Sequence, residues 1–252
     1  GSYTFTWYDQ DGELQQTGPG TEIDGVMTSA FCPPTDEIGT FDYYYVVTTD
    51  ASDADCETTS ASAQVIVTPG PSFVTQPLET QTVCQDGSTQ ELTVTYENGV
   101  GTPSYKWYKV NDICDNTPIL EREITGATGS TYTPPSDVVG TFYYFVKLTF
   151  PSEGGCEPIV SECAEVIVVP DPLVEITSPL SHTICIGGDI GLITTSVSGG
   201  VGTIDYDWTI TGPGVTPTSY SGGIATTYSP TAVQSNIFDI AGDYQFFVTV
   251  TY

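Results

Sequence analysis

Cationic side chains are nearly absent from this sequence. Lys and Arg number 4 against 32 Asp and Glu, with one His, for a formal net charge of -28. Phosphate contacts need cationic groups, so nucleic-acid binding is excluded as a function class. Anionic membrane surfaces are disfavoured for the same reason. Long hydrophobic runs are also missing, so no direct membrane insertion is expected. With so little histidine, zinc is a poor explanation for the seven cysteines. The strand-rich sequence around them points to disulfides and an oxidising, extracellular setting. His182 has no Ser or Cys nucleophile arranged with it and reads as a surface-loop residue. No catalytic or cofactor-binding residue is therefore expected, and no enzymatic function.

What the chain has in quantity is turn formers and rings: 26 Gly, 18 Pro, 16 Tyr, 10 Phe and 3 Trp. The rings recur at a period near 101. Phe5-Thr6-Trp7-Tyr8 matches Tyr105-Lys106-Trp107-Tyr108 and Tyr206-Asp207-Trp208-Thr209. Pro33-Pro34-Thr35-Asp36 through Gly39-Thr40-Phe41 matches Pro134-Pro135-Ser136-Asp137 through Gly140-Thr141-Phe142. A looser third copy runs from Ser229-Pro230 to Gly242-Asp243-Tyr244. Ala63-Gln64-Val65-Ile66-Val67 returns as Ala164-Glu165-Val166-Ile167-Val168. One register held across so many positions marks an internal repeat.

Each repeat reads as strands and turns, with no helix. In the middle copy, residues 90–96 alternate, placing Leu92, Val94 and Tyr96 on one face. Residues 104–110 form the Trp strand, 141–150 a long aromatic strand, and 160–169 the closing strand. About seven short strands around a central Trp, with Gly/Pro turns, are the signature of an immunoglobulin-like sandwich. The fold class expected is all-β: tandem immunoglobulin-like β-sandwiches arranged as a rod. In such sandwiches a Gly-x-Tyr-x-Cys run opens one inner strand. Here the cysteine position is taken by Tyr43, Tyr144 and Phe246, whose rings should face Trp7, Trp107 and Trp208 and replace a crosslink with apolar area. Only Tyr244 keeps the corner hydroxyl; Phe41 and Phe142 cannot supply it.

The Pro-rich joints Thr68-Pro69-Gly70-Pro71 and Val169-Pro170-Asp171-Pro172 divide the chain into residues 1–68, 69–171 and 172–252. Alternate prolines stiffen such a joint and favour extended backbone. The first repeat begins at its Trp strand, so strands A and B are expected to be missing. The third stops at strand F and lacks strand G. The window then reads as a cut from a longer tandem array whose neighbouring repeats are its partners.

The cysteines sort by recurrence: Cys84 with Cys185, and Cys56 with Cys156. Pairing between those positions gives Cys84–Cys156, leaving Cys114–Cys163. The rival scheme joins Cys84 to Cys114 and Cys156 to Cys163. Recurrence favours the first, with Cys32, Cys56 and Cys185 left without partners. Carboxylates cluster at Asp9-x-Asp11-x-Glu13, Asp53-x-Asp55-x-Glu57 and Asp205-x-Asp207. The first two fall in loops where oxygen ligands could converge on calcium, though neither has EF-hand spacing. A solvated acidic surface is the simpler account, and no cofactor is expected. All four cations, Lys106, Lys109, Arg122 and Lys147, fall in the middle repeat. Met27 reads as core or ordinary surface. Alternation along Phe142-Tyr143-Tyr144-Phe145 turns Tyr143 and Phe145 outward. There they either pack under neighbouring segments or offer a contact to a surface polysaccharide or a protein ligand.

Tyr105-Lys106-Trp107-Tyr108, Gly126-Ala127-Thr128-Gly129-Ser130-Thr131-Tyr132-Thr133-Pro134-Pro135, Gly155-Cys156 and Val83-Cys84 together resemble the immunoglobulin-like repeats of giant Bacteroidota cell-surface adhesins. That group includes adhesins of gliding motility. The resemblance covers nearly the whole chain; the third repeat departs through Thr211-Gly212-Pro213-Gly214 and Ser221-Gly222-Gly223. It implies type IX export, an outer-surface location and a stalk role in adhesion. Two function classes follow: a spacer in an adhesin stalk, or an accessory binding sandwich on a secreted hydrolase.

Overall fold

The computed structural model describes residues 2–49, 56–111, 113–151, 154–178, 180–215, 219–221, 227–228 and 237–252. Among them the regular structure is strand throughout, apart from 3-10 turns at Leu120–Arg122 and Gly154. The chain divides into two compact units. One comprises Gly1–Ser72, Tyr96–Pro103 and Thr149–Ile159; the other comprises Phe73–Thr95, Ser104–Leu148 and Val160–Tyr252.

The first third of the chain contributes β1 (Tyr3–Asp9), β2 (Leu14–Pro19), β3 (Thr21–Ile23), β4 (Val26–Thr28), β5 (Gly39–Thr49), β6 (Glu57–Thr59) and β7 (Ala63–Val67). β2, β1 and β5 are adjacent and antiparallel. β6 and β7 share the far edge of β5, at Val46–Thr48 and Gly39–Tyr43 respectively. β3 and β4 form a separate hairpin. Its turn is Asp24-Gly25, both at positive φ, the backbone that matches the twist of two tightly joined strands. Phe5 and Tyr43 are buried in this sheet and Trp7 is half-buried.

The middle third adds β8 (Ser72–Thr75), β9 (Thr80–Cys84), β10 (Leu92–Thr93), β11 (Thr95–Glu97), β12 (Ser104–Asn111), β13 (Thr131–Tyr132), β14 (Gly140–Thr149), β15 (Ile159–Val160) and β16 (Ala164–Val169). One sheet runs β12-β14-β16-β9, with β16 and β9 parallel and β15 on β14. Opposite it, β8 pairs with β11 and β10 with β13. The break between β10 and β11 falls at Val94, whose N–H donates to the Ser130 carbonyl at 3.0 Å. Alternation places Leu92 and Val94, then Tyr144, Val146 and Leu148, then Ala164, Val166 and Val168 inside, each at 2% exposure or less. Trp107 lies fully buried among them. Tyr96 continues the face as a half-buried ring edge-on to Phe150. This is the two-layer arrangement of an immunoglobulin-like sandwich. The expected closing strand at 160–169 is interrupted at residues 161–163, where Ser161 N–H still donates to the Val146 carbonyl at 2.9 Å and Cys163 enters a crosslink described below.

The last third supplies β17 (Leu173–Ile176), β18 (Ile193–Ser198), β19 (Asp205–Thr211), β20 (Ser219–Ser221), β21 (Thr227–Tyr228) and β22 (Gln245–Thr251). These form two layers, β17-β18-β21 and β20-β19-β22. Ile193, Tyr206 and Trp208 are buried together, with Phe246 and Val248 against them. Ile210, Ile237 and Phe238 form a second cluster. The Ser229-Pro230 turn and Gly222-Gly223 lie outside the described residues.

Each joint is tied to the repeat that follows it. Gly99 N–H donates to the Pro69 carbonyl (3.4 Å), and Gly200 N–H donates to the Pro170 carbonyl (2.9 Å). At the second joint Gly199 has φ +75, and a Cβ there would lie 2.5 Å from the Asp171 carbonyl oxygen. Only glycine fits so close an approach of two backbones.

Candidate functional site

In the first two repeats the ring expected to meet the tryptophan does so through an intermediary, whereas Phe246 packs against the cluster that holds Trp208. Tyr132 lies 5.7 Å from Trp107 and 5.6 Å from Tyr144, centroid to centroid. Phe31 holds the same place in the first repeat, 5.5 Å from Trp7 and 5.3 Å from Tyr43. The reading of Tyr43 and Tyr144 as direct partners of the tryptophans is therefore corrected: a third ring, on the strand opposite or just ahead of the Pro-Pro turn, fills the gap. A signal for it was present, since Phe31 and Tyr132 each stand two residues before a proline pair's first or matching position. The indole N–H groups are satisfied locally, Trp7 by Ser29 Oγ (3.1 Å) and Trp107 by the Gly129 carbonyl (2.9 Å). Tyr244 makes the corner bond, donating to the Ile240 carbonyl at 2.8 Å.

The Tyr144 hydroxyl is buried with no hydrogen-bond partner among the described residues. Burial accordingly pushes its phenol well above the ordinary tyrosine range. The third repeat has Phe246 at this position. Tyr144→Phe removes an unsatisfied polar group and keeps the ring. It is expected to stabilise the chain's middle sandwich by about 1 kcal/mol, read from urea unfolding. Destabilisation would show that the hydroxyl has a partner.

The crosslink is Cys114–Cys163, with S–S 2.05 Å and Cα–Cα 6.1 Å. It fastens the segment after β12 to the turn before β16. On the other face of the sheet Tyr108 stacks on Phe145 at 5.0 Å, and both rings are buried although they point away from the main core. The outward candidate Phe145 is thus covered by its own chain, and Tyr143 donates its hydroxyl to Glu165 at 2.9 Å. Neither is a free ligand contact.

The expected Cys84–Cys156 pairing is corrected: both thiols are unbonded. Cys84 lies opposite Val169, at the end of the sheet where Gly140 meets Val168. Cys156 follows the far, Thr149 end of β14, where its Sγ accepts from Val100 N–H at 3.3 Å. The length of a ten-residue strand, about 34 Å, separates the two ends. Recurrence in sequence marked equivalent places in successive repeats, which is different from proximity. The rival pairs Cys84–Cys114 and Cys156–Cys163 are absent too, and Cys32, Cys56 and Cys185 are exposed free thiols.

The acidic triplet after β1 organises its own turn. Asp9 Oδ1 accepts from Asp11 and Glu13 N–H (3.0 and 2.8 Å), and its Oδ2 accepts from Gln15 Nε2 (2.7 Å). Among the described residues no three His, Cys, Asp or Glu side chains converge as a metal site. Asp53 and Asp55 lie outside the described residues. Asp205 and Asp207 sit two apart on β19. His182 is exposed in the segment before Cys185, and Met27 is half-buried on β4.

Two of the four cations pair with carboxylates of the segment that follows β12. Lys106 pairs with Glu123 (3.0 Å) and Arg122 with Asp115 (2.7 Å). Lys109 lies 3.8 Å above the Phe142 ring. Hydrogen bonds from Thr117 and Arg122 hold the Asp115 carboxyl down at about 2, against an ordinary 3.8. A depressed carboxyl stabilises above its ordinary pKa, and that contribution disappears as pH falls from about 4 through about 2. Asp115→Asn is expected to flatten the pH dependence of unfolding in that window and to leave the slope above pH 5 unchanged. An unaltered acid limb in pH-dependent urea melts would contradict it.

No described helix is long and apolar enough to cross a membrane. A family described as a domain of unknown function (DUF8696) matches residues 76–170, inside the middle repeat. No curated protein matches the sequence. Among solved structures, similarity extends to Sidekick-1 immunoglobulin domains 1-5 (17% identity, TM-score 0.36, 80% of this chain and 42% of that one). It extends also to Drosophila N-cadherin EC1-4 (14%, 0.30, 98% and 63%). A third is chicken CNTN1 FN1-FN3 (12%, 0.24, 99% and 82%). The chain spans less than two thirds of the length of the first two. At these scores the likeness carries no functional argument, and the site above stands on its own geometry.

Proposed function

We propose that this chain is a non-enzymatic structural segment of a long cell-surface adhesin, a stretch of stalk built from repeats 1–68, 69–171 and 172–252. The observation that carries the reading is the recurrence itself. The Trp strand, the aromatic strand and the Pro joints return at one period, and each joint carbonyl is held by a glycine of the repeat that follows. Such anchoring transmits load along a chain in a way that a flexible tether does not. A net charge of -28 keeps neighbouring stalks apart. The adhesin resemblance extends this to an extracellular, outer-surface location, type IX export and a part in cell–substratum adhesion and gliding, with recognition of the ligand elsewhere in the protein.

Small-angle scattering of the 252-residue chain tests the spacer role. Three sandwiches with strands of about 34 Å, end to end, give a particle on the order of 100 Å long. A compact particle with the repeats folded back on one another would overturn the reading.

A further inference from the structure

Asn98-Gly99 is the one Asn-Gly pair in the sequence. It forms the turn after β11, with both residues at positive φ (62 and 84) and Asn98 exposed to water. Gly99 is the residue whose N–H holds the Pro69 carbonyl at the first joint. A side chain does not fit there, because a Cβ at Gly99 would lie 2.6 Å from the Phe150 ring. The same turn recurs at Gly199-Gly200, again with both φ values positive (75 and 77), and Gly200 N–H holds the Pro170 carbonyl. The two joints share one backbone device and differ in one side chain: a carboxamide at Asn98 and none at Gly199. Asn is among the thermally labile side chains, and a glycine after it has no side chain to shield its nitrogen.

We propose that Asn98 is a modification site, converted through a cyclic imide to aspartate or isoaspartate, and that the first joint gates the reaction. In the first step the Gly99 nitrogen attacks Asn98 Cγ. A C–N bond forms, the Cγ–Nδ2 bond breaks, and the side-chain nitrogen leaves as ammonia with the Gly99 amide proton. In the second step solvent water opens the imide at either carbonyl, and no oxidant or reductant is consumed. Opening at Cγ restores the ordinary backbone with a side-chain carboxylate. Opening at the main-chain carbonyl routes the backbone through Cβ and Cγ and adds a methylene to the turn. The nucleophile is the nitrogen whose proton Pro69 accepts, so the joint bond must break before the ring closes. Closure also requires rotation about the Asn98 Cα–C bond, out of the left-handed turn. An intact joint therefore protects Asn98, and an opened one exposes it. The isoaspartate product, with its longer backbone, no longer aligns Gly99 with the Pro69 carbonyl. The second joint, with Gly199 in that place, is immune. The proposal rests on the joint geometry and not on the adhesin reading, so either can fail alone.

The test incubates the 252-residue chain at mildly alkaline pH, folded in buffer and unfolded in urea, and follows the peptide holding Asn98 by mass spectrometry. Conversion is expected to be at least about tenfold slower in the folded chain, because it needs local opening of the joint. Pro69→Gly changes an exposed residue, loosens the joint and leaves the sandwich core untouched. It should raise the folded-state rate at least about threefold. In chain enriched in the isoaspartate form, amide exchange at Gly99 should quicken while exchange at Gly200 stays as slow as before. The comparison of folded with unfolded chain needs no variant, so it stands even if Pro69→Gly folds poorly. The proposal is overturned if Asn98 converts as fast in the folded chain as in the unfolded one, or if the unfolded chain keeps its amide. It is also overturned if a folded Pro69→Gly chain converts at the unaltered rate, or if the isoaspartate form leaves Gly99 exchange as slow as it was.

Discussion

Replacing Cys114 and Cys163 together by Ser is expected to destabilise the middle sandwich by about 4 kcal/mol on the loop-entropy account, the closed loop spanning a sequence separation of 49. Loss of the clip also frees the segment after β12, which bridges back to the buried Tyr108 at Glu123. The variant should therefore expose apolar surface and bind a hydrophobic dye before it unfolds. Cys84→Ser and Cys156→Ser are the controls, each expected to cost less than about 1 kcal/mol because neither thiol is bonded. Peptide mapping without reduction gives an independent check. A linked Cys114–Cys163 fragment is expected, and a Cys84–Cys156 fragment would overturn the placement of the two thiols at opposite ends of the sheet.

Trp107→Ala should cost about as much by a different route. The indole is 0% exposed, and its removal leaves a cavity among residues that are themselves fully buried. Truncation of a buried aromatic costs about 3–5 kcal/mol, the transfer and cavity terms combined. It also leaves the Gly129 carbonyl without its donor. Trp7→Ala is expected to cost less than half as much, since Trp7 is only half-buried. Urea unfolding of both variants, followed by circular dichroism, measures the difference. Equal losses would mean that the face of Trp7 is enclosed as fully as that of Trp107.

Much of this fold was legible before any coordinates. Period-2 alternation in residues 90–96 assigns Leu92 and Val94 to the inside, because successive side chains on a strand point to opposite faces. The Pro joints were equally plain, since proline restricts its own backbone and its predecessor's. The candidate site was less legible. Recurrence matched Cys84 with Cys185 and Cys56 with Cys156 as equivalent places in successive repeats, but whether Cys84 and Cys156 meet depends on strand direction and on which end of a sheet each occupies.

The sequence by itself determined the all-β character, the repeat period, the inward face of residues 90–96 and the surplus of negative charge. These follow from local patterning, which each residue carries with it. Only the tertiary structure decided that Tyr132 and Phe31 stand between Trp and Tyr, and that Phe145 is buried by its own chain, stacked on Tyr108. It alone decided that residues 181–185 stay out of the sheet while their counterparts at 80–84 form β9. Each of these depends on what lies across a gap, and a strand's own pattern is silent about its neighbour. The contrast between 80–84 and 181–185 shows this most directly: β9 is held by the ladder that β16 supplies, while 181–185 pair with no strand among the described residues.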